Sequence, residues 1–251
     1  MCALDIEWYA LMYLRYSNLV DFNMAEADRR NFNAGFVTDL NAAAKKLKEG
    51  KVIGIPTDSV YALAASVNHP ESVRKIFEIK KRPLETAVTL LLPDKETLEN
   101  AKPNFHPVLM AFIKPCPYGF VVPKGDWLKK ICPEETIKLL GDKDSVCIRI
   151  TNSTPLCLFC LKSGPLVISS ANKHKEPDST HHDMVERAFG DAIDGVVKAG
   201  NSLLKKSSSI VNCLDIQNDR ISYFRIGSTS QDDIFRDYRA AKESVRTLTN
   251  K

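Results

Sequence analysis

The sequence predicts one α/β domain built on a mixed sheet. Three observations carry that prediction. Short β-branched runs alternate with apolar stripes at helical spacing along most of the chain. Several of those runs end in polar turns, as strands do when they deliver side chains to a crevice. No internal repeat or low-complexity stretch divides the 251 residues, and a 44% hydrophobic content suits a sizeable core.

The elements follow in order. Residues 1–36 read as an N-terminal extension whose apolar residues have a helix-like spacing but no chemical motif. From Asp39, the spacing Leu40, Ala43, Ala44, Leu47 predicts a helix ended by Glu49-Gly50. Val52 to Ile55 is a buried strand stopped by Pro56, which presents Thr57, Asp58 and Ser59 at its carboxyl end. Pro70 to Ile79 is a second helix running into Lys80-Lys81-Arg82-Pro83, and Pro83 places that basic cluster on a turn. Val88 to Leu92 is a strand, and Glu96 to Ala101 and Val108 to Ile113 are helices. Strands then fall at Phe120 to Val122 and Val146 to Ile150. A helix from Leu156 to Leu161 leads to the strand Leu166 to Ile168, which opens into Ser169-Ser170-Ala171-Asn172. Met184 to Phe189 is helical, Gly195 to Val197 and Ile210-Val211 are strands, and Tyr223-Phe224 leads to Arg225. From Gln231 the tail carries Ile234, Tyr238, Ala241 and Val245 near helical spacing.

Composition narrows the classes. Lys and Arg number 35 against 31 Asp and Glu, a balance too mild and dispersed for a dedicated nucleic-acid surface but compatible with a local basic pocket. The apolar patch Trp8-Tyr9-Ala10-Leu11-Met12 is bracketed by Asp5, Glu7 and Arg15, which fits neither a signal peptide nor a membrane span, so the expected location is cytoplasmic. Seven cysteines read as free thiols, with Cys157 and Cys160 packed in an apolar helix.

Three polar groups each follow an apolar element: Thr57-Asp58-Ser59, Lys80 with Arg82, and Ser170-Ala171-Asn172. Two cations two residues apart suit neighbouring phosphate oxygens, although a solvated helix end has the same composition. A hydroxyl and an amide two residues apart can bind a ribose, phosphate or carboxylate, or form an ordinary Asn turn. Ser207-Ser208-Ser209 behind Lys205-Lys206 reads either as a phosphate nest or as a surface loop. Arg149 stands inside an apolar strand, where a charge requires a cavity or an anion. Arg225 has that character more weakly. The chain lacks a Gly-rich phosphate loop, a nucleophile elbow and a metal-spaced His pair, since adjacent His181 and His182 on one helix cannot face a common site. Chemistry in such a site would rest on positioning and charge stabilisation.

Read together from Asp39 to Ser228, these pieces resemble the YrdC-type threonylcarbamoyl-adenylate synthase family. Pro56 to Leu63 resembles its Pro-Thr-acid-Thr-x-Tyr-Gly-Leu, Lys80 to Arg82 its Lys-x-Arg, and Val146 to Arg149 its Val-x-x-Arg. Ser170 to Asn172 resembles Ser-x-Asn, Ser208 to Asn212 resembles Ser-Thr-Val-Val-Asp, and Arg225-Ile226-Gly227 resembles Arg-Pro-Gly. The chain departs where the family's Gly-Pro-x-Thr reads Cys116-Pro117-Tyr118-Gly119, where Ala62 and Ala64 replace a glycine pair, and where His174-Lys175 replaces Ser-Gly. The resemblance implies a YrdC-like domain over 37–229, a twisted mixed sheet with flanking helices around a basic cavity, followed by a C-terminal helical tail over 230–251. It implies that L-threonine and bicarbonate form a carbamate that attacks ATP, giving threonylcarbamoyl-AMP and pyrophosphate with the help of Mg2+. Thr57, Arg149, Ser170 and Ser208 would then hold threonine, and Lys80, Arg82, Ser145, Asn172 and Arg225 would hold ATP, with Ser170 shared between them. A downstream tRNA-modifying transferase and a weak affinity for RNA are the implied partners. Two alternatives stand beside this reading: a non-catalytic nucleotide or RNA binder, and a carbamoyl-transfer enzyme on the same fold.

Overall fold

The computed structural model describes residues 34–249 apart from 85, 153, 174 and 175, so the helix-like spacing in the first 33 residues and the His174-Lys175 departure lie outside the described residues. Eight strands form one mixed sheet in the order β1-β2-β6-β3-β5-β4-β7-β8. They are β1 (Ile53–Ile55), β2 (Ala62–Ser66), β3 (Thr89–Leu92), β4 (Tyr118–Pro123), β5 (Ser145–Ile150), β6 (Leu166–Ser170), β7 (Ser209–Asn212) and β8 (Ser222–Arg225). The pairs β3–β5 and β4–β7 are parallel and the rest antiparallel. Among the described residues the α-helices are α1 (Ala34–Lys48), α2 (Pro70–Lys80), α3 (Lys95–Ala101), α4 (Pro107–Phe112), α5 (Glu134–Lys138), α6 (Thr154–Ser163), α7 (His182–Phe189) and α8 (Gln231–Thr249).

The period-2 alternation of the strands sorts their side chains into two layers. Leu90 and Leu92 of β3, Phe120 and Val122 of β4, and Val146, Ile148 and Ile150 of β5 enter the larger core with α2 and α4. Leu91, Ala62, Ala64, Leu166 and Ile168 face the other way, under α1 and α6. That second layer is apolar on the β1-β2-β6-β3 half of the sheet. On the next strand the same face carries Ser145, Cys147 and Arg149, alternating with the valine and isoleucines of the larger core.

Several elements differ from the sequence reading. Residues 62–66 form a fully buried strand that the alanine-rich run does not announce. Small side chains let β2 lie between β1 and β6 with helices against it. Conversely, Gly195 to Val197 is not a strand but a single parallel bridge between Val196 and Gly54. Gly195, at φ +146°, breaks the extended run there. Ser169 and Ser170 belong to β6 rather than to the turn after it.

Helix α2 ends in a tight reversal that matters for the site. Lys81 adopts a left-handed conformation (φ 51°), with its N–H donating to Glu78 O and that of Arg82 to Phe77 O, each at 3.0 Å. The reversal leaves Lys80 buried as the last helical residue, rather than on the turn, and swings Arg82 past the helix end.

Helix α8 is integral to the larger core, which includes Ile234, Tyr238 and Ala241. The Phe112 ring lies 5.1 Å from Phe120 and 5.4 Å from Tyr238, joining α4, β4 and α8. The hydroxyls of Tyr118 and Tyr238 donate to Asp237 at 2.8 Å and to Asp219 at 2.6 Å. Truncating Phe112 to Ala removes the shared ring, and chemical denaturation is expected to show a loss of about 3–5 kcal/mol.

Candidate active site

The first wall is a turn built by Thr57. Its hydroxyl accepts the N–H groups of Ser59 and Val60 at 3.2 Å and donates to Val60 O at 2.6 Å. That hydroxyl lies 2.9 Å from Ser59 Oγ as well. The turn buries the Asp58 carboxylate, which meets the Arg149 guanidinium in an ion pair. Arg149 Nη1 also reaches Ser59 Oγ at 3.4 Å. The buried arginine on an apolar strand therefore faces an anion supplied by the β1–β2 turn.

The second wall is the carboxyl end of β6. Lys80 Nζ donates to the carbonyl oxygens of Ser170 and Asn172, the latter at 2.8 Å, and to Asn172 Oδ1 at 3.3 Å. Ser170 Oγ donates to Asn172 Oδ1 at 2.6 Å, and Asn172 Nδ2 donates to Glu176 O at 2.7 Å. Tyr61 holds the loop, because Ala171 N–H donates to its carbonyl while its own N–H donates to Ser179 O. Arg82 Nη1 donates to Ser169 Oγ at 3.2 Å.

The third wall comes from β7 and β8. Arg225 Nε donates to Ser208 O at 2.9 Å and Nη2 approaches Ser208 Oγ at 3.5 Å. Gly227 makes this possible: an added Cβ would run into the Ser207 carbonyl and come within 2.6 Å of Ser208 C. Ser207 Oγ in turn donates to Asp178, tying this wall to the loop after β6.

The four cations form a chain of neighbouring charges. Burial first, then Arg82, pulls the Lys80 pKa down to about 7, with Asp178 opposing. Arg82 is lowered by desolvation and then by Arg225, and Arg225 by desolvation and then by Arg149. Lys80, Arg82, Arg225 and Arg149 thus follow one another as neighbouring charges, with Asp58 and Asp178 as the acids among them. Ser145 shares a strand face with Arg149 but sits four residues away, roughly 13 Å along β5. Its hydroxyl is engaged by Asp142 at 2.5 Å, and no contact ties it to the other walls among the described residues.

Two participants escape the sequence reading. Asp178 stands in a loop with no pattern around it, and Cys147 hides in an apolar run. A Cβ on Gly119, where the resemblance places a threonine, would lie 3.0 Å from Cys147 Sγ, so the thiol fills the space of the lost hydroxyl. His181, by contrast, caps α7 from an extended conformation, and its ring lies 4.0 Å from that of His182. The two rings do face each other, contrary to the expectation for two positions on one helix.

An eight-stranded mixed sheet that carries four cations, two hydroxyl turns and an Asn on neighbouring turns and strand ends defines a cation-rich α/β domain. The Sua5/YciO/YrdC family model, described as telomere recombination, matches residues 45–227. The chain belongs to that family. It is 27% identical over 178 residues to a threonylcarbamoyl-AMP synthase of Vibrio campbellii, covering 66% of this chain and 89% of the relative. A Pseudomonas paraeruginosa protein of the same name is 30% identical over 158 residues, covering 62% and 82%. The structure of Pyrococcus abyssi Sua5 complexed with L-threonine superposes with a TM-score of 0.67 at 24% identity, over 79% of this chain and 56% of that one. At that identity the likeness establishes the shared fold, and this chain spans little more than half of the archaeal one.

Three outcomes follow from the Gly227 packing and the lowered Lys80 pKa. Gly227→Ala is expected to force the Ser207–Ser208 loop away, lowering stability by about 1–3 kcal/mol in denaturant titrations. Because the folded-state pKa of Lys80 lies below its ordinary value, the folded protein binds this proton more weakly than the unfolded chain. Its contribution to stability therefore rises from about pH 7 toward pH 10.5. A polyanion favours the ammonium, so calorimetric affinity for a nucleoside triphosphate should fall as pH rises through about 7, with proton uptake on binding. Lys80→Arg should flatten that dependence.

Proposed function

We propose that this protein is a threonylcarbamoyl-AMP synthase, forming threonylcarbamoyl-AMP and pyrophosphate from L-threonine, bicarbonate and ATP. The observation that carries the reading is the convergence of Lys80, Arg82 and Arg225 with the buried Arg149, because the reaction joins a triphosphate to an amino-acid carbamate. Curated relatives with this name support it at 26–30% identity.

In this reading Lys80, Arg82 and Arg225 take the phosphates and Asn172 completes their site, while Ser145, a strand's length away, would reach only the far end of ATP. Thr57, Arg149, Ser170 and Ser208 take threonine, with Ser170 at the junction. Thr57 acts through the turn it holds, since its hydroxyl is already engaged by Ser59 and Val60. Charge that develops on the α-phosphate during attack is met by fixed cations, and pyrophosphate leaves against the same groups. Magnesium usually takes one or two carboxylates besides substrate phosphates. Asp178, which acts on both Lys80 and Arg225, would be the carboxylate to hold it beside the triphosphate, where the ion would neutralise phosphate charge. The mixed-anhydride product calls for a transferase that passes the group to tRNA, with the cytoplasm as the setting. No helix among the described residues is long and apolar enough to cross a membrane.

Threonine-dependent pyrophosphate release tests the reading. Wild type should turn over with ATP, threonine and bicarbonate, and Lys80→Ala and Arg149→Ala should each lose about 100-fold or more in kcat/KM while circular dichroism shows them folded. A protein that binds nucleotide with no pyrophosphate release and no effect of threonine is a binder, and the proposal fails.

A further inference from the structure

The buried ion pair between Asp58 and Arg149 is half used. The two side chains are 5% and 3% exposed, and Asp58 is the one fully buried carboxylate among the described residues. Asp58 Oδ1 accepts from Arg149 Nη2, but Asp58 Oδ2 and Arg149 Nε are buried with no hydrogen-bond partner among the described residues. A buried pair that serves only the fold is stable when its remaining lone pair and N–H are closed by neighbours. Here an orphan anionic acceptor and an orphan cationic donor stand together, beside Ser59 and the Thr57 turn. An α-amino acid zwitterion satisfies both at once, its ammonium meeting the carboxylate and its carboxylate meeting the guanidinium.

We infer that Asp58 is a further catalytic residue: its Oδ2 receives the ammonium group of the amino-acid substrate and then takes the proton that the nitrogen loses as the carbamate forms. The inference rests on the synthase reading and adds the acceptor that reading lacks. An ammonium nitrogen has no lone pair with which to attack. One of its protons passes to Asp58, the N–C bond to bicarbonate forms, and the C–OH bond breaks. The departing hydroxide leaves as water with a second proton from nitrogen. The products are the carbamate, water and a protonated Asp58, and the total charge is conserved. Asp178 does not fill this role, since it is engaged by Ser207 and acts on Lys80 and Arg225.

The test begins with the intact wild-type protein in the presence of ATP. Calorimetry compares L-threonine with 2,3-dihydroxybutanoate, in which a hydroxyl replaces the ammonium. The inference expects threonine to bind at least about 100-fold more tightly, as a site built for a hydrogen-bonding group rejects an analogue without it. Equal affinities overturn this inference alone, whereas binding of neither ligand overturns the synthase reading and this inference with it. Asp58→Asn should then lose the preference for threonine and about 100-fold in kcat/KM for it, with the KM for ATP within about threefold of wild type. A folded Asp58→Asn that keeps wild-type kcat/KM for threonine and its pH profile overturns the assignment. Should that variant fail to fold, the wild-type comparison decides.

Discussion

The structure depends on a guanidinium placed on a central strand. Arg149 alternates with Val146, Ile148 and Ile150, so folding β5 into the larger core forces the arginine onto the opposite face. A charge there needs a counter-ion. The Thr57–Val60 turn supplies it as Asp58, while α1 and α6 pack over the apolar half of the same face. The site is thus set where that apolar layer gives way to a buried ion pair.

Around that arginine the fold holds three more cations by neutral acceptors rather than by acids. Lys80 is fixed by two carbonyls and an amide oxygen, and Arg225 by the Ser208 carbonyl. Neutral acceptors orient the charges without cancelling them, so burial and mutual repulsion leave Lys80, Arg82 and Arg225 poised for an anion. This is preorganisation, in which the reorganisation cost is met in folding rather than in the reaction. Gly227 and the left-handed Lys81 are its backbone supports: one permits the close approach of two loops, the other sends Arg82 past the buried end of α2.

The site also shows how divergence is absorbed. The hydroxyl expected beside β4 is absent at Gly119, and Cys147 from the neighbouring strand occupies that space. Thr89 donates to the same sulfur at 3.5 Å, so the floor remains packed although its chemistry has changed. Nearby, Ser209 keeps a structural role, donating to Thr229 O and accepting from Gly227 N–H, which explains why a hydroxyl rather than a bulkier side chain suits that position.

The sequence by itself determined most strands and helices, because apolar periodicity and Pro or Gly breaks act within a few residues. It also singled out Lys80, Arg82, Arg149, Ser170, Asn172 and Arg225, since cations and small polar groups at the ends of apolar runs are conspicuous. The strand at 62–66 stayed hidden because alanine has little strand preference of its own and is held there by neighbours on both sides. Tertiary structure alone decided that Asp58 is the partner of Arg149 and that Asp178 bridges two walls. It also decided that Ser145, on the right face, lies a strand's length from the rest. The first two outcomes depend on contacts between residues 91 and 29 positions apart, and all three are set by sheet order and register, which no local pattern encodes.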